Sequence, residues 1–178
     1  MKNKGAIYIT QAAMIAALYV VLTLFINTFN LASGAIQIRI SEALCVLPIF
    51  TPAAIPGLFI GCVISNILTS ATIWDIVFGS LATLIGAFGT YWLRKTKFVF
   101  TLPPVVANMF VVPLVLKLAL GLEDAWWFLL VTIGIGEIIS ICILGYLLSK
   151  LLYKYRNVIF RMDENGRLYE GKKAVKED

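Results

Sequence analysis

The chain has 178 residues, 60% of them hydrophobic and 14% charged, with a formal net charge of +5 and a mean hydropathy of +0.90. Soluble domains run at about 45–50% apolar and about 25% charged, and a fold of this size has too little interior to hide so much apolar surface. A soluble globular protein is excluded, and the lack of any histidine removes the commonest metal ligand and general base.

The charges stand at intervals that leave apolar segments between them. A span needs about 20 mostly apolar residues to cross a hydrocarbon core of about 30 Å. The first candidate is Tyr8–Asn27, preceded by Lys2 and Lys4. Its apolar run is longer than the core of a usual signal peptide and no clear cleavage site follows, so it reads as a retained helix. Ala12 and Ala16 are four apart, as are Ala13 and Ala17. Small residues at that spacing let helices approach closely in lipid, either inside the bundle or as a docking face for a membrane partner.

The stretch IQIRISEAL, residues 36–44, alternates like a strand and then turns helical. It reads as a short strand-like stretch in the loop after the first helix, entering a second segment at Ser41 and Glu42. That segment, Ile40–Phe50, is roughly half a normal span at about 1.5 Å per residue, and Pro48 interrupts it. It reads as a short or re-entrant helix. Pro52 and Pro56 make TPAAIPG a tight turn. The third, fourth, fifth and sixth segments follow at Ala53–Thr69, Ile73–Leu93, Leu102–Leu120 and Trp126–Lys150. Cys45, Cys62 and Cys142 fall inside them at spacings that fit neither a disulfide frame nor a zinc site, and read as small hydrophobes.

Orientation follows from the basic residues, which favour short cytoplasmic loops. Lys2 and Lys4 precede the first helix; Arg94, Lys95 and Lys97 follow the fourth; Lys150, Lys154 and Arg156 close the sixth. All three groups share one side only if the second and third segments both cross. The expectation is therefore an all-α integral membrane bundle of about six transmembrane helices with both termini cytoplasmic. Residues 1–160 form the transmembrane domain and 161–178 a polar tail. Glu123 and Asp124 then lie in an external loop, and the net charge reflects orientation against an anionic leaflet rather than nucleic-acid binding.

Polar side chains within the spans are the candidates for function. Glu137 lies about 11 residues, or some 17 Å, from the outer start of the sixth segment. A carboxylate at that depth costs about 2.5–3.5 kcal/mol on insertion scales, so it should face a cavity or a partner. Glu42, Asn66 and Asp75 lie toward the outer face, with Asn108 and Glu137 just beneath them, and together they could line one outward-facing pocket. Plainer roles compete: Asp75 as a helix cap beside Trp74, Arg39 and Glu42 as a pair at i,i+3, the two asparagines as interhelical glue. Lys117 reads as a snorkelling side chain. No nucleophile–base pair, metal-ligand spacing or glycine-rich phosphate loop is present, which speaks against an enzyme and calls for no cofactor. No internal repeat marks a duplicated transporter, so a bundle this small works as an oligomer or as one part of a larger machine.

The stretch IQIRISEALCVLPIFTPAAIPGLFIGCVISN and the later WDIVFGSLATLIGA resemble the QueT family. Its members are substrate-binding S components of energy-coupling factor (ECF) transporters, assigned to uptake of queuosine precursors. The resemblance implies a partner set of a transmembrane T subunit and two cytoplasmic ATPases, with docking through Ala12, Ala13, Ala16 and Ala17. It places residues 36–40 in a lid over the substrate and implies a 7-deazaguanine ligand with a 7-cyano or 7-aminomethyl group. Carboxylates accept the N–H edge of a guanine-like base with charge-assisted strength. The expected arrangement is Glu137 or Glu42 on that edge, with Asp75 or the remaining glutamate at the 7-substituent. Asn66 and Asn108 would meet other ring atoms, Trp74 or Trp126 would stack, and Arg39 would hold Glu42 and the lid. An S component for another small nutrient, or a stand-alone carrier or intramembrane enzyme using Glu137, are the other readings.

Overall fold

The computed structural model describes residues 4–28, 39–120 and 126–160. Among them every regular element is helical: α1 (Lys4–Thr28), a 3-10 helix (Ile40–Ile49), α2 (Ala54–Leu68), α3 (Ser80–Trp92), α4 (Leu102–Leu120), α5 (Trp126–Glu137) and α6 (Tyr146–Ile159). A π-helical segment, Asp75–Gly79, leads into α3, and a second, Ile138–Gly145, joins α5 to α6 as one long rod. Two helical stretches, Gly5–Thr28 and Trp126–Arg156, are long and apolar enough to cross a bilayer. Leu18, Val21, Phe25, Ile85, Phe110 and Phe128 stand at the surface, as expected where lipid is the solvent.

The predicted segment boundaries hold to within a few residues except at the end of the last helix, which runs on to Ile159. Two expectations change. The turn after the second segment is narrower, because α2 begins at Ala54 and takes Pro56 into its first turn, where proline's missing N–H has no intrahelical partner to lose. The second segment is not an α-helical half-span. Ten residues at the 3-10 rise of about 2.0 Å reach about 20 Å, a third further than an α-helix of that length. The strand-like part of the lid, residues 36–38, lies outside the described residues, as do Glu123, Asp124 and the 161–178 tail.

The 3-10 helix is the centre of the fold: Ser41 through Pro48 are all buried. Three residues per turn eclipse side chains at i and i+3, giving it three straight edges. One edge carries Glu42, Cys45 and Pro48. A second, with Leu44 and Leu47, joins the apolar cluster of Ile15, Tyr19, Ile55 and Leu58 on α1 and α2. The third, with Ala43 and Val46, packs on the π segment; a Cβ added to Gly145 would lie 2.8 Å from Val46 Cγ1 and 3.2 Å from the Ala43 carbonyl. Only a glycine lets those two backbones meet.

The alanine stripe of α1 divides. Ala12 and Ala16 face α2, where added Cβ atoms on Gly57 and Gly61 would come within 2.7 Å of the Ala12 carbonyl and 3.0 Å of the Ala16 carbonyl. These two alanines pack inside the bundle, while Ala13 and Ala17 are exposed.

Side-chain contacts define the two ends. The Tyr8 hydroxyl donates to the Pro52 carbonyl at 3.4 Å, the Phe50 and Phe160 rings stack at 5.2 Å, and Phe98 meets Tyr146 edge-on at 5.5 Å. The basic residues Arg94, Lys95, Lys97, Lys150, Lys154 and Arg156 belong to this end. The carboxyl ends of α1 and α2 and the start of the helix leading into α3 form the other.

Candidate functional site

At the end opposite the basic residues lies a cavity of about 120 Å³ lined by Thr23, Ile26, Asn27, Arg39, Ser41, Asn66, Thr69 and Ala71. Each wall has a local cause. Thr23 and Asn27 are one helical turn apart on α1, and Thr23 donates to Ser41 Oγ at 2.9 Å, tying α1 to the start of the 3-10 helix. Asn66, 7% exposed, closes the side formed by α2. Its amide donates to the Asp75 carbonyl at 3.2 Å and approaches Cys62 Sγ at 3.6 Å.

Buried next to Ser41 is Glu42, 1% exposed. Its Oε1 accepts the Tyr19 hydroxyl of α1. Its Oε2 accepts Cys45 Sγ–H at 3.1 Å and Asn108 Nδ2–H of α4 at 3.4 Å. The Cys45 contact follows from the eclipsed i,i+3 geometry. Three donors on one carboxylate are what a buried charge requires, so Glu42 joins three segments across the core. The sequence expectation set Glu42 on the rim of an outward pocket. The structure corrects this and puts it inside, because the 3-10 helix is enclosed on every edge.

Glu137, at the end of α5 and 6% exposed, stands beside Asn108 and within electrostatic reach of Glu42 and Arg39. Its Oε2 is buried with no hydrogen-bond partner among the described residues, and the buried Ser80 and Ser140 hydroxyls share that condition. Ser80 follows one π segment and Ser140 lies in the other. π-helical turns widen a helix locally and recur at functional sites, and here both flank the polar interior. Arg39 reaches Glu42 and Glu137 through space, while its own carbonyl accepts the Glu42 N–H at 2.9 Å.

The predicted residues therefore fall into three groups. Glu42, Asn108 and Glu137 form one buried cluster, with Arg39 and Asn66 on the adjoining cavity wall. Asp75 is half-buried at the helix start, where Thr72 Oγ1 donates to its carboxylate at 2.9 Å and accepts its N–H at 3.2 Å; that is a capping arrangement. Trp74 is exposed and stacks on Phe78 at 5.9 Å, and Trp126 is half-buried at the start of α5. Neither tryptophan lines the cavity.

Sequence reasoning passed over Tyr19, Thr23 and Cys45. A signal for the first two existed: Ala12, Ala16, Tyr19 and Thr23 recur at spacings of four, three and four, so two hydroxyls continue the buried alanine face. Cys45 and Cys62 are buried as expected of small hydrophobes, yet their sulfurs also join the polar contacts.

The comparisons with known proteins identify the family. The description of the family model that matches residues 9–154 is QueT transporter. The Queuosine precursor transporter QueT of Lactococcus lactis subsp. cremoris (strain MG1363) is 32% identical over 165 residues, spanning 85% of this chain and 95% of that protein. No solved structure matches. A helical membrane bundle with a buried polar interior, matched over most of its length, belongs to the QueT transporter family.

Proposed function

We propose that this chain is the substrate-binding S component of an ECF importer for a queuosine precursor, a 7-cyano- or 7-aminomethyl-7-deazaguanine. The name of the Lactococcus relative supports the substrate class. The bundle crosses the cell membrane about six times with both termini cytoplasmic, a reading supported by the gathering of basic residues at the end away from the cavity. Residues 1–160 bind the substrate and 161–178 form a cytoplasmic tail. A T subunit and two cytoplasmic ATPases supply the drive, and Ala13 and Ala17, the exposed half of the alanine stripe, dock on the T subunit.

The observation that carries the site is the unpartnered Glu137 Oε2 in a buried polar cluster. Glu42 already accepts three protein donors, which leaves Glu137 as the carboxylate that meets the ligand. Asn66 and Arg39 line the neighbouring cavity, and Asn108 stands between the two glutamates; the expected stacking by Trp74 or Trp126 would need a movement of either ring toward that cavity. Asp75 stands near enough to the cavity wall, through Asn66, to approach a substituent. The test is a binding titration of the purified protein with both deazaguanines, using guanine and thiamine as controls. Saturable binding of a deazaguanine is expected, and its absence from well-folded protein rejects the substrate.

A further inference from the structure

We propose that the basic end of the bundle holds an anionic phospholipid, its phosphate between Lys97 and Lys150 and an acyl chain along α4. The inference needs the bundle to span a bilayer and is independent of the substrate. Two segments distant in sequence meet at this place. The Phe98 ring meets Tyr146 edge-on at 5.5 Å, Phe100 stands 6.5 Å from the same ring, and Cys142 Sγ–H donates to Thr101 Oγ1 at 3.5 Å. Lys150 Nζ lies 5.0 Å from the Tyr146 ring centre, and Lys97 directly precedes Phe98. An ammonium over an aromatic face keeps its N–H donors for an anion.

The charge at this end is unbalanced among the described residues. The described acids, Glu42, Asp75 and Glu137, belong to the interior or to the opposite end. The sequence 161–178 carries as many basic as acidic residues, so it brings no net negative charge. Lys95, Lys154 and Arg156 add to the positive field, with Arg156 held 3.9 Å over Tyr153.

The depth suits a lipid phosphate. Twenty residues on from Trp126, at about 1.5 Å each, Tyr146 is reached after about 30 Å, the thickness of a hydrocarbon core. Lys150 then stands one turn beyond the boundary, at headgroup depth. Trp92, 83% exposed, is the kind of side chain that settles at that boundary. Deeper in, Val99, Leu102, Val106 and Phe110 are all exposed, and their spacing puts them on one face of α4. From Val99 to Phe110 this track runs about 17 Å, close to half the hydrocarbon thickness and so to one acyl chain. Cations at headgroup depth above an apolar track one leaflet long match a phospholipid better than a soluble anion or an acidic peptide.

The experiment is native mass spectrometry of the full chain released from nanodiscs of equal phosphatidylglycerol and phosphatidylcholine with the same acyl chains. Phosphatidylglycerol should be retained over phosphatidylcholine by about 10-fold or more, since each lysine near an anionic headgroup contributes about fivefold. Lys97→Gln combined with Lys150→Gln should remove most of that preference. Lys2→Gln combined with Lys4→Gln takes the same charge from the start of α1 and should leave the preference within about twofold of the parent's. Equal retention of the two lipids by the parent overturns the proposal and leaves this face to a protein partner. Equal loss of preference in both double variants assigns it to diffuse charge and overturns the site. Deazaguanine binding at the opposite end should be the same in all three proteins, so failure of the lipid site leaves the transport reading intact.

Discussion

Tyr19→Phe isolates the contact that joins α1 to the centre of the bundle. Tyr19 is 2% exposed, and phenylalanine keeps its ring and volume while deleting only the hydroxyl that donates to Glu42 Oε1. The other two donors reach Oε2, so they do not take its place. A hydrogen bond to a charged group is worth about 1.5–3 kcal/mol net, whereas interhelical bonds in membranes average about 0.6 and reach about 1.7 kcal/mol. Glu42 is 1% exposed and water cannot substitute for the lost donor, so the upper part of the membrane range applies. The expected loss is about 1–2 kcal/mol, a factor of about 5–30 in the folding equilibrium. Reversible unfolding in mixed micelles, followed by tryptophan fluorescence, measures it. A double-mutant cycle with Glu42→Gln should show coupling of about 1 kcal/mol. A variant within about 0.3 kcal/mol of the parent, or strict additivity in the cycle, would refute the pairing of these two side chains.

Other substitutions test separate parts of the account. Gly61→Val brings a Cβ to 2.8 Å from Tyr19 Cβ and 3.0 Å from the Ala16 carbonyl; overpacking should cost about 1–3 kcal/mol, and thermal stability in detergent equal to the parent's would argue against this helix contact. Thr72→Val removes the hydroxyl that receives the Asp75 N–H, at about 1 kcal/mol for a lost cap. Faster amide exchange confined to the residues leading into α3 is the expected sign, and unchanged exchange would count against the cap. Replacing the exposed Ala13 and Ala17 with leucine should abolish co-purification with a T subunit while ligand affinity stays within about twofold, because neither residue lines the cavity; retained co-purification would remove these residues from the docking face.

Much of the fold was legible in the sequence because lipid imposes a simple rule: apolar runs between charges become helices. That rule placed the starts of all six segments to within a few residues. It could not foresee the 3-10 geometry of Ile40–Ile49, which depends on how the surrounding helices enclose that segment rather than on its composition. The consequence reached the site. The topology alone set Glu42 toward the outer face; because Ser41 through Pro48 are enclosed on every edge, it is a buried residue.

The depth of Glu137 was legible for the reason that makes it costly, since a mid-span carboxylate stands out in any hydropathy reading. Tyr19 and Cys45 did not stand out, because a phenol and a thiol are ordinary members of an apolar span until a carboxylate 23 or 3 residues away is folded against them. The alanine stripe shows the same limit. Spacing marked four small residues, but only the packing of Gly57 and Gly61 separates Ala12 and Ala16, which face inward, from Ala13 and Ala17, which do not.

The most direct test of the central claim is an equilibrium titration of the purified full chain, reconstituted without partners, with 7-aminomethyl-7-deazaguanine. The account predicts saturable one-to-one binding that guanine and thiamine do not match and that Glu137→Gln weakens by about tenfold or more. Folded protein that fails to bind any deazaguanine, or a Glu137→Gln variant that binds as tightly as the parent, would contradict it.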